Sequence, residues 1–329
     1  MQPFHFERPN SLREAAEAAR EDGTMILAGG TTLVDLMRAG LAAPSRVIDL
    51  SGLDELRQWS TTGPALRFGA LASMADVADD DTLRREYPAL AQSLQQAASQ
   101  QLRNMATLGG NLLQRTRCAY FRDGISPCNR RAAGSGCAAL TGHNREHAVL
   151  GASEHCVAVY PGDWASALVA FDAEVELFSP DGLRSLPVEA FFREPGDAPH
   201  RETALRPGEI ITAIRVPATL AGRRSTYRKV RDRQSYAFAL VSVAAALRLD
   251  GDVVVEARIA LGGVATRPWR SREAEGELLG QSLSRAAAGR AGEAAFAGGR
   301  ALADNGVKLR LGPRVVVEAI GIAGGKDWT

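Results

Sequence analysis

The chain lacks an excess of either charge. Its 39 Lys and Arg against 38 Asp and Glu leave a formal net charge of +1, with no long run of one sign. That argues against nucleic acid or an anionic membrane surface as the main partner. No apolar run approaches the roughly 20 residues of a membrane span. The opening MQPFHFERPN has no basic segment followed by an apolar one, so no signal peptide is expected. Cysteine is scarce, at 4 in 329 residues. That is too few for a disulfide framework in a chain this long, and a metal or redox role is favoured if the chain folds in the cytosol. There is no GxGxxG, no Walker lysine, no Ser-His-Asp arrangement and no paired-carboxylate signature, so neither a nucleotide fingerprint nor a hydrolase is legible. Internal repeats and low-complexity tracts are also missing.

What is present is an ordinary globular composition, 45% hydrophobic and 23% charged, with length for about two domains. Ser11 and Glu14 form a capping box ahead of the helical pattern SLREAAEAAR. A short strand, Met25 to Ala28, runs into Gly29-Gly30-Thr31-Thr32 and then a helical pattern ending near Gly40, followed by a strand at Val47 to Leu50. This strand, glycine turn, helix, strand unit can expose N–H groups to a phosphate, or it can be a tight turn with no ligand. Leu66 to Ala70 reads as a strand. Ser73 to about Gln101 reads as helices, with Pro88 starting the second. After Cys156 an apolar strand, Val157 to Val159, leads to Gly162-Asp163 and the helix WASALVAF, where Asp163 can serve as a simple N-cap. Further strands are expected at Ala173 to Ser179, Ile210 to Val216, Ser225 to Val230 and Leu240 to Leu249. Asp250-Gly251 then signals a hairpin into Val253 to Leu261. From about Ser271 the composition reads as helices packing on that sheet.

The stretch from Arg103 to Cys137 is the most informative. It opens with the small-residue turn Ala106-Thr107-Leu108-Gly109-Gly110-Asn111 and continues into a polar segment carrying Cys118, Cys128 and Cys137. The fourth cysteine, Cys156, lies just beyond. Glycines allow close backbone approach, and successive N–H groups make a nest for anions. Four thiolates are a full ligand set for one tetrahedral ion or one iron–sulfur cluster. The spacings of 9, 8 and 18 intervening residues match neither a zinc ribbon nor a ferredoxin run, so zinc and iron–sulfur stand level on spacing alone. Isolated free cysteines usually act as small hydrophobes, which fits poorly with a polar loop. Residues 117 to 150 show no periodicity, and a loop that long is usually functional or disordered. Arg115, Arg117, Arg130 and Arg131 flank the thiols, where they can offset cluster charge or simply decorate the surface. Of the five histidines, His143 and His147 sit in this loop, but four thiols already fill a site.

These motifs together, ILAGGTTL at 26–33, ATLGGN at 106–111, Gly162-Asp163 and the Tyr227-Arg-Lys-Val-Arg segment, resemble the FAD-binding subunit of molybdenum hydroxylases, the xanthine dehydrogenase family. The cysteine insertion is similar to that of flavin subunits in bacterial aldehyde oxidoreductases and 4-hydroxybenzoyl-CoA reductases, which carry an extra 4Fe–4S cluster. LLQRTRCAYF and RKVRDRQSYAFALVSVAA look most like the three-subunit periplasmic aldehyde oxidoreductases. The resemblance implies an α+β fold with a two-part FAD-binding domain of the vanillyl-alcohol oxidase type, residues 1–221, its subdomains about 1–60 and 61–221 and its insertion 117–156. A C-terminal antiparallel sheet with helices, residues 222–329, follows. It implies non-covalent FAD held by Ile26, Leu27, Ala28, Gly29, Gly30, Thr31, Thr32 and Leu33, by Thr107, Leu108, Gly109, Gly110 and Asn111, and by Asp163, Ile211 and Lys229. It implies Cys118, Cys128, Cys137 and Cys156 as ligands of a 4Fe–4S cluster.

The expected role is electron transfer within an aldehyde oxidoreductase. The partners would be a molybdenum-cofactor large subunit and a 2Fe–2S small subunit, in the periplasm by co-export with a signal-bearing partner or in the cytoplasm. Two rivals stand beside it, a stand-alone flavin oxidoreductase and a zinc-stabilised interaction module.

Overall fold

In the computed structural model, which describes residues 1–328, three sheets follow one another along the chain. The first is parallel, with strand order β1-β3-β2: β1 His5–Glu7, β2 Thr24–Leu27 and β3 Arg46–Asp49. Helix α1 Leu12–Ala18 leads into β2, and α2 Leu33–Arg38 connects β2 to β3. The Ser11 hydroxyl accepts the Glu14 N–H at 3.2 Å, while the Glu14 carboxylate reaches back to the Asn10 N–H at 2.9 Å. The capping box is therefore present, with its return bond one residue earlier than expected.

The second sheet is antiparallel, in the order β4-β5-β8-β6-β7. It is formed by β4 Trp59–Ser60, β5 Ala65–Gly69, β6 Glu174–Ser179, β7 Gly182–Pro187 and β8 Ile210–Pro217. Between β5 and β6 the chain makes helices α3 Met74–Ala78, α4 Asp81–Glu86, α5 Pro88–Gln95, α6 Gln100–Met105 and α7 Leu108–Leu112. The cysteine insertion follows with its single short helix, α8 Ala119–Arg122, and then α9 Trp164–Ala170. Pro88 starts the third of these helices, not the second. The breaks come from Ser73, Asp80 and Ser99, whose side chains each accept the N–H three residues on and so fix a helix start wherever they stand. Val157 to Val159 forms no strand. Its backbone bonds run singly, as from Ala148 N–H to the Val157 carbonyl. Every residue of α9 is buried, as expected of a helix that is apolar all round.

After α10 Val188–Phe191, the third sheet has the order β12-β11-β10-β9: β9 Ser225–Val230, β10 Val241–Asp250, β11 Val253–Gly262 and β12 Trp269–Arg270. The hairpin turn is Gly251-Asp252, because Asp250 and Val253 pair across it and Gly251 takes the positive φ of 56°. The helices α11 Arg272–Leu278, α12 Arg285–Phe296 and α13 Val307–Gly324 cover one face, and Val243, Ala245, Leu247, Ala288, Val316 and Ile320 share their core. The opposite face supplies Ala244, Ala246 and Ala260 to the main core, along with Trp164 and Leu168 of α9. Lys308, at 1% exposure, donates to the carbonyls of Glu146 and Gly263, each at 2.7 Å. It ties the cysteine insertion to the third sheet.

Candidate functional site

The first glycine turn leaves the end of β2, where Ile26 and Leu27 pair with Ile48 and Asp49. It runs through Ala28 to Thr32 into α2, with Gly30 at φ 73°. The N–H groups of Gly29, Gly30, Thr31, Thr32 and Leu33 find no backbone acceptor among the described residues, and the turn is only half-buried. A run of free amides on an accessible turn is an anion nest. Gly29 is required by close approach, because a Cβ there would stand 1.8 Å from the Met105 carbonyl oxygen at the end of α6. The two glycine turns are thus built against each other.

The second turn differs from the expectation that both would offer free amides. Leu108 and Gly109 donate to the carbonyls of Ala72 and Ala70, and Asn111 donates to the Thr107 carbonyl. The Thr107 hydroxyl accepts from Gly110 at 3.3 Å. Its amides are spent on capping α7 and on docking the turn against β5. What it presents instead is the bare Gly110, with only Thr107 Oγ1 near a would-be Cβ, and Asn111 Oδ1, buried with no hydrogen-bond partner. An unpaired buried acceptor costs about 1–3 kcal/mol, and a donor on a bound molecule relieves it.

Asp163 occupies the N-cap position of α9 without capping it. Its carboxylate accepts from Lys229 Nζ at 2.8 Å and from the Tyr227 hydroxyl at 2.7 Å. The Ser242 hydroxyl donates to the Tyr227 oxygen at 2.8 Å, and Lys229 donates to the Gln96 carbonyl at 3.0 Å. Lys229 is not a solvated strand lysine. It reaches inward from β9 and its side chain is 1% exposed. Burial pushes the Asp163 carboxyl above its ordinary value, with the Lys229 ammonium and the Tyr227 hydroxyl pulling it back. Replacing Lys229 by methionine strands that carboxylate, and removing one partner of a buried pair costs about 3–5 kcal/mol. Urea unfolding should show that loss for Lys229→Met, and a smaller loss for the double variant with Asp163→Asn. Equal losses would mean that the pair is not coupled. Sequence reasoning missed Ser242, a lone serine in an apolar strand. Ile211 pairs with Leu177 and lies in the main core.

The four cysteines come together. Cys128 and Cys137 face each other across an isolated bridge, and Cys118 packs with Cys128 on Leu36 and Phe121. Burial pushes the Cys118 thiol up to about 11, with the neighbouring Cys128 and Cys156 adding to it. Burial and Cys156 likewise raise Cys137. Backbone N–H groups of Tyr120 and Phe121 point at the Cys118 sulfur, and those of Ala139, Leu140 and Val157 at the Cys137 sulfur. Arg130 Nε donates to Cys156 Sγ at 3.2 Å, and His147 Nε2 lies 3.1 Å from Cys118 Sγ. Among the described residues, no three His, Cys, Asp or Glu side chains converge tightly enough to hold a single metal ion. The donor set is nonetheless all thiol, with N–H dipoles aimed at sulfur. It suits a group held by thiolates. Of the flanking arginines, Arg130 is buried rather than decorating the surface, while His143 is exposed.

The family described as "FAD binding domain in molybdopterin dehydrogenase" matches residues 2–219. The chain belongs to the FAD-binding subunits of the molybdenum hydroxylases. A second family, "CO dehydrogenase flavoprotein C-terminal domain", matches residues 225–304. The chain is 46% identical over 322 residues to the aldehyde oxidoreductase FAD-binding subunit PaoB of Escherichia coli (strain K12), covering 97% of this chain and 98% of that one. It is 27% identical over 282 residues to the glyceraldehyde dehydrogenase medium chain of Sulfolobus acidocaldarius, covering 85% and 83%. Among solved structures, the carbon monoxide dehydrogenase from Hydrogenophaga pseudoflava superposes with a TM-score of 0.77 at 26% identity, covering 99% of both chains. This flavin subunit is therefore part of an oxidoreductase, and its mixed helix and sheet architecture is that of its family.

Proposed function

We propose that this chain is the electron-transfer subunit of a molybdenum-dependent aldehyde oxidoreductase, with FAD bound non-covalently and a 4Fe–4S cluster on Cys118, Cys128, Cys137 and Cys156. The observation that carries the flavin site is the run of five free amides from Gly29 to Leu33, pressed against the second glycine turn. That turn suits a diphosphate, and the FAD-binding part then follows the vanillyl-alcohol oxidase plan. The aldehyde assignment is supported by the 46% identity to an aldehyde oxidoreductase subunit. The partners are a molybdopterin-bearing large subunit and a 2Fe–2S small subunit, in the periplasm if a partner carries the export signal.

When bound, FAD accepts electrons singly or in pairs and so joins one-electron clusters to a two-electron acceptor. The chain's own residues hold and tune it. The amides of 29–33 receive the diphosphate, and Asn111 Oδ1 takes a donor. The Asp163–Lys229 pair fixes the start of α9 beside β9. The cluster reading is supported by the all-thiol donor set and by the backbone N–H groups aimed at its sulfurs. Thiolate ligation means that loading the cluster releases protons.

Expressed without partners but loaded with FAD, the chain is expected to show no aldehyde oxidation with a dye acceptor. The complex should show it. Turnover by the isolated chain would favour a stand-alone flavin oxidoreductase.

A further inference from the structure

We propose that Arg130 sets how easily the cluster on the four cysteines is reduced, and that Glu202 holds it in position. The inference rests on the 4Fe–4S reading. Most arginines of the insertion are engaged elsewhere. Arg117 and Arg122 pair with Asp35. Arg131 donates to the carbonyls of Tyr120 and Phe121, each at 2.8 Å. Arg115 stacks its guanidinium on the Phe121 ring, 4.7 Å from the centroid. Arg130 alone reaches a sulfur, with Nε 3.2 Å from Cys156 Sγ.

Arg130 is buried, and a buried guanidinium is costly unless its donors are met. One partner is Glu202, whose Oε2 lies 2.8 Å from Arg130 Nη1. The other Glu202 oxygen lies 2.5 Å from Arg115 Nε. Two guanidinium groups thus share one carboxylate, and a positive charge is left over beside a cysteine sulfur. A thiolate accepts from a charged donor more strongly than a neutral thiol does. The remaining donors to sulfur are neutral. They are the backbone amides, and the His147 ring lies 3.1 Å from Cys118 Sγ. A cavity of about 320 Å³ opens beside Arg115, Arg130 and Glu202, so the triad is not sealed off from the surface.

Reduction adds one electron to the cluster and makes its charge more negative by one. A fixed positive charge at a ligand sulfur stabilises the reduced form more than the oxidised form and raises the potential, a known lever at such sites. Glu202 opposes it. The two residues should therefore move the potential in opposite directions, which a packing role would not do.

The test is a redox titration of the intact complex, followed by electron paramagnetic resonance of the 4Fe–4S signal, with iron and flavin counted in each sample. Arg130→Met should lower the midpoint, Arg130→Lys should lower it less, and Glu202→Gln should raise it, all with unchanged iron per flavin. If Arg130→Met assembles without the cluster, Arg130→Lys and Glu202→Gln decide the matter by their signs. An unmoved midpoint in those two, or shifts in the same direction, would overturn the inference. A wild-type complex with no 4Fe–4S signal would instead overturn the reading beneath it, and the inference with it.

Discussion

Replacing Gly29 by valine is expected to empty the flavin site. The added Cβ would stand 1.8 Å from the Met105 carbonyl oxygen and 3.1 Å from Ala106 Cα. These are backbone atoms at the end of α6, so no side-chain rotation relieves the clash and one turn must move away from the other. Overpacking typically costs about 1–3 kcal/mol, occasionally more, and a backbone clash belongs at the upper end. If the whole of about 3 kcal/mol comes out of FAD affinity, binding weakens by roughly a hundredfold. Gly110→Ala is the contrast, since its Cβ meets only the Thr107 hydroxyl, at 2.9 Å. That variant should lose less flavin than Gly29→Val, because no backbone atom has to move. The measurement is flavin per chain after gel filtration, and full flavin in Gly29→Val would remove the first turn from the site.

Cys156→Ser is expected to lose the cluster and loosen the insertion while FAD stays bound. Cys156 is 4% exposed, and its sulfur accepts from Arg130 Nε and, at 3.5 Å, from the Ala158 N–H. A serine hydroxyl is a poor substitute for a thiolate on iron. It also leaves Arg130 with a weaker acceptor, and charge-assisted bonds are roughly twice as strong as neutral ones. Between Arg117 and Cys156 the regular structure is α8 and a three-residue turn of 3-10 helix at Ala138–Leu140. The segment has little secondary structure of its own, and on the proposed reading cluster binding doubles as its folding energy. The iron-to-flavin ratio should fall, and trypsin should cut after Arg122 or Arg131, while FAD occupancy remains. A normal iron content in Cys156→Ser would remove this residue from the ligand set.

Local signals carried much of the fold. Glycine turns, capping serines and the Val253 to Leu261 alternation are set by neighbours in sequence, so the first βαβ unit and the third sheet's hairpin could be read directly. β1 and β7 could not. His5–Glu7 pairs with β3 about forty residues away, and Gly182–Pro187 is largely exposed, so neither has an apolar pattern to announce it. The site was legible as residues but not as roles. ATLGGN resembles the first turn in composition, yet the carbonyls of Ala70 and Ala72 take its amides, and nothing near the motif says so. Lys229 is an ordinary strand lysine until Asp163, 66 residues earlier, meets it. Arg130 looks like its neighbours, and only the fold brings Cys156 and Glu202 to it.

The most direct test is the flavin and metal content of the purified subunit, measured before and after acid precipitation. The account predicts one FAD per chain, released intact into the supernatant without proteolysis, and the iron of one 4Fe–4S cluster lost from Cys→Ser variants at positions 118, 128, 137 and 156. Flavin that stays on the precipitated chain, or zinc in place of iron at the thiols, would contradict it.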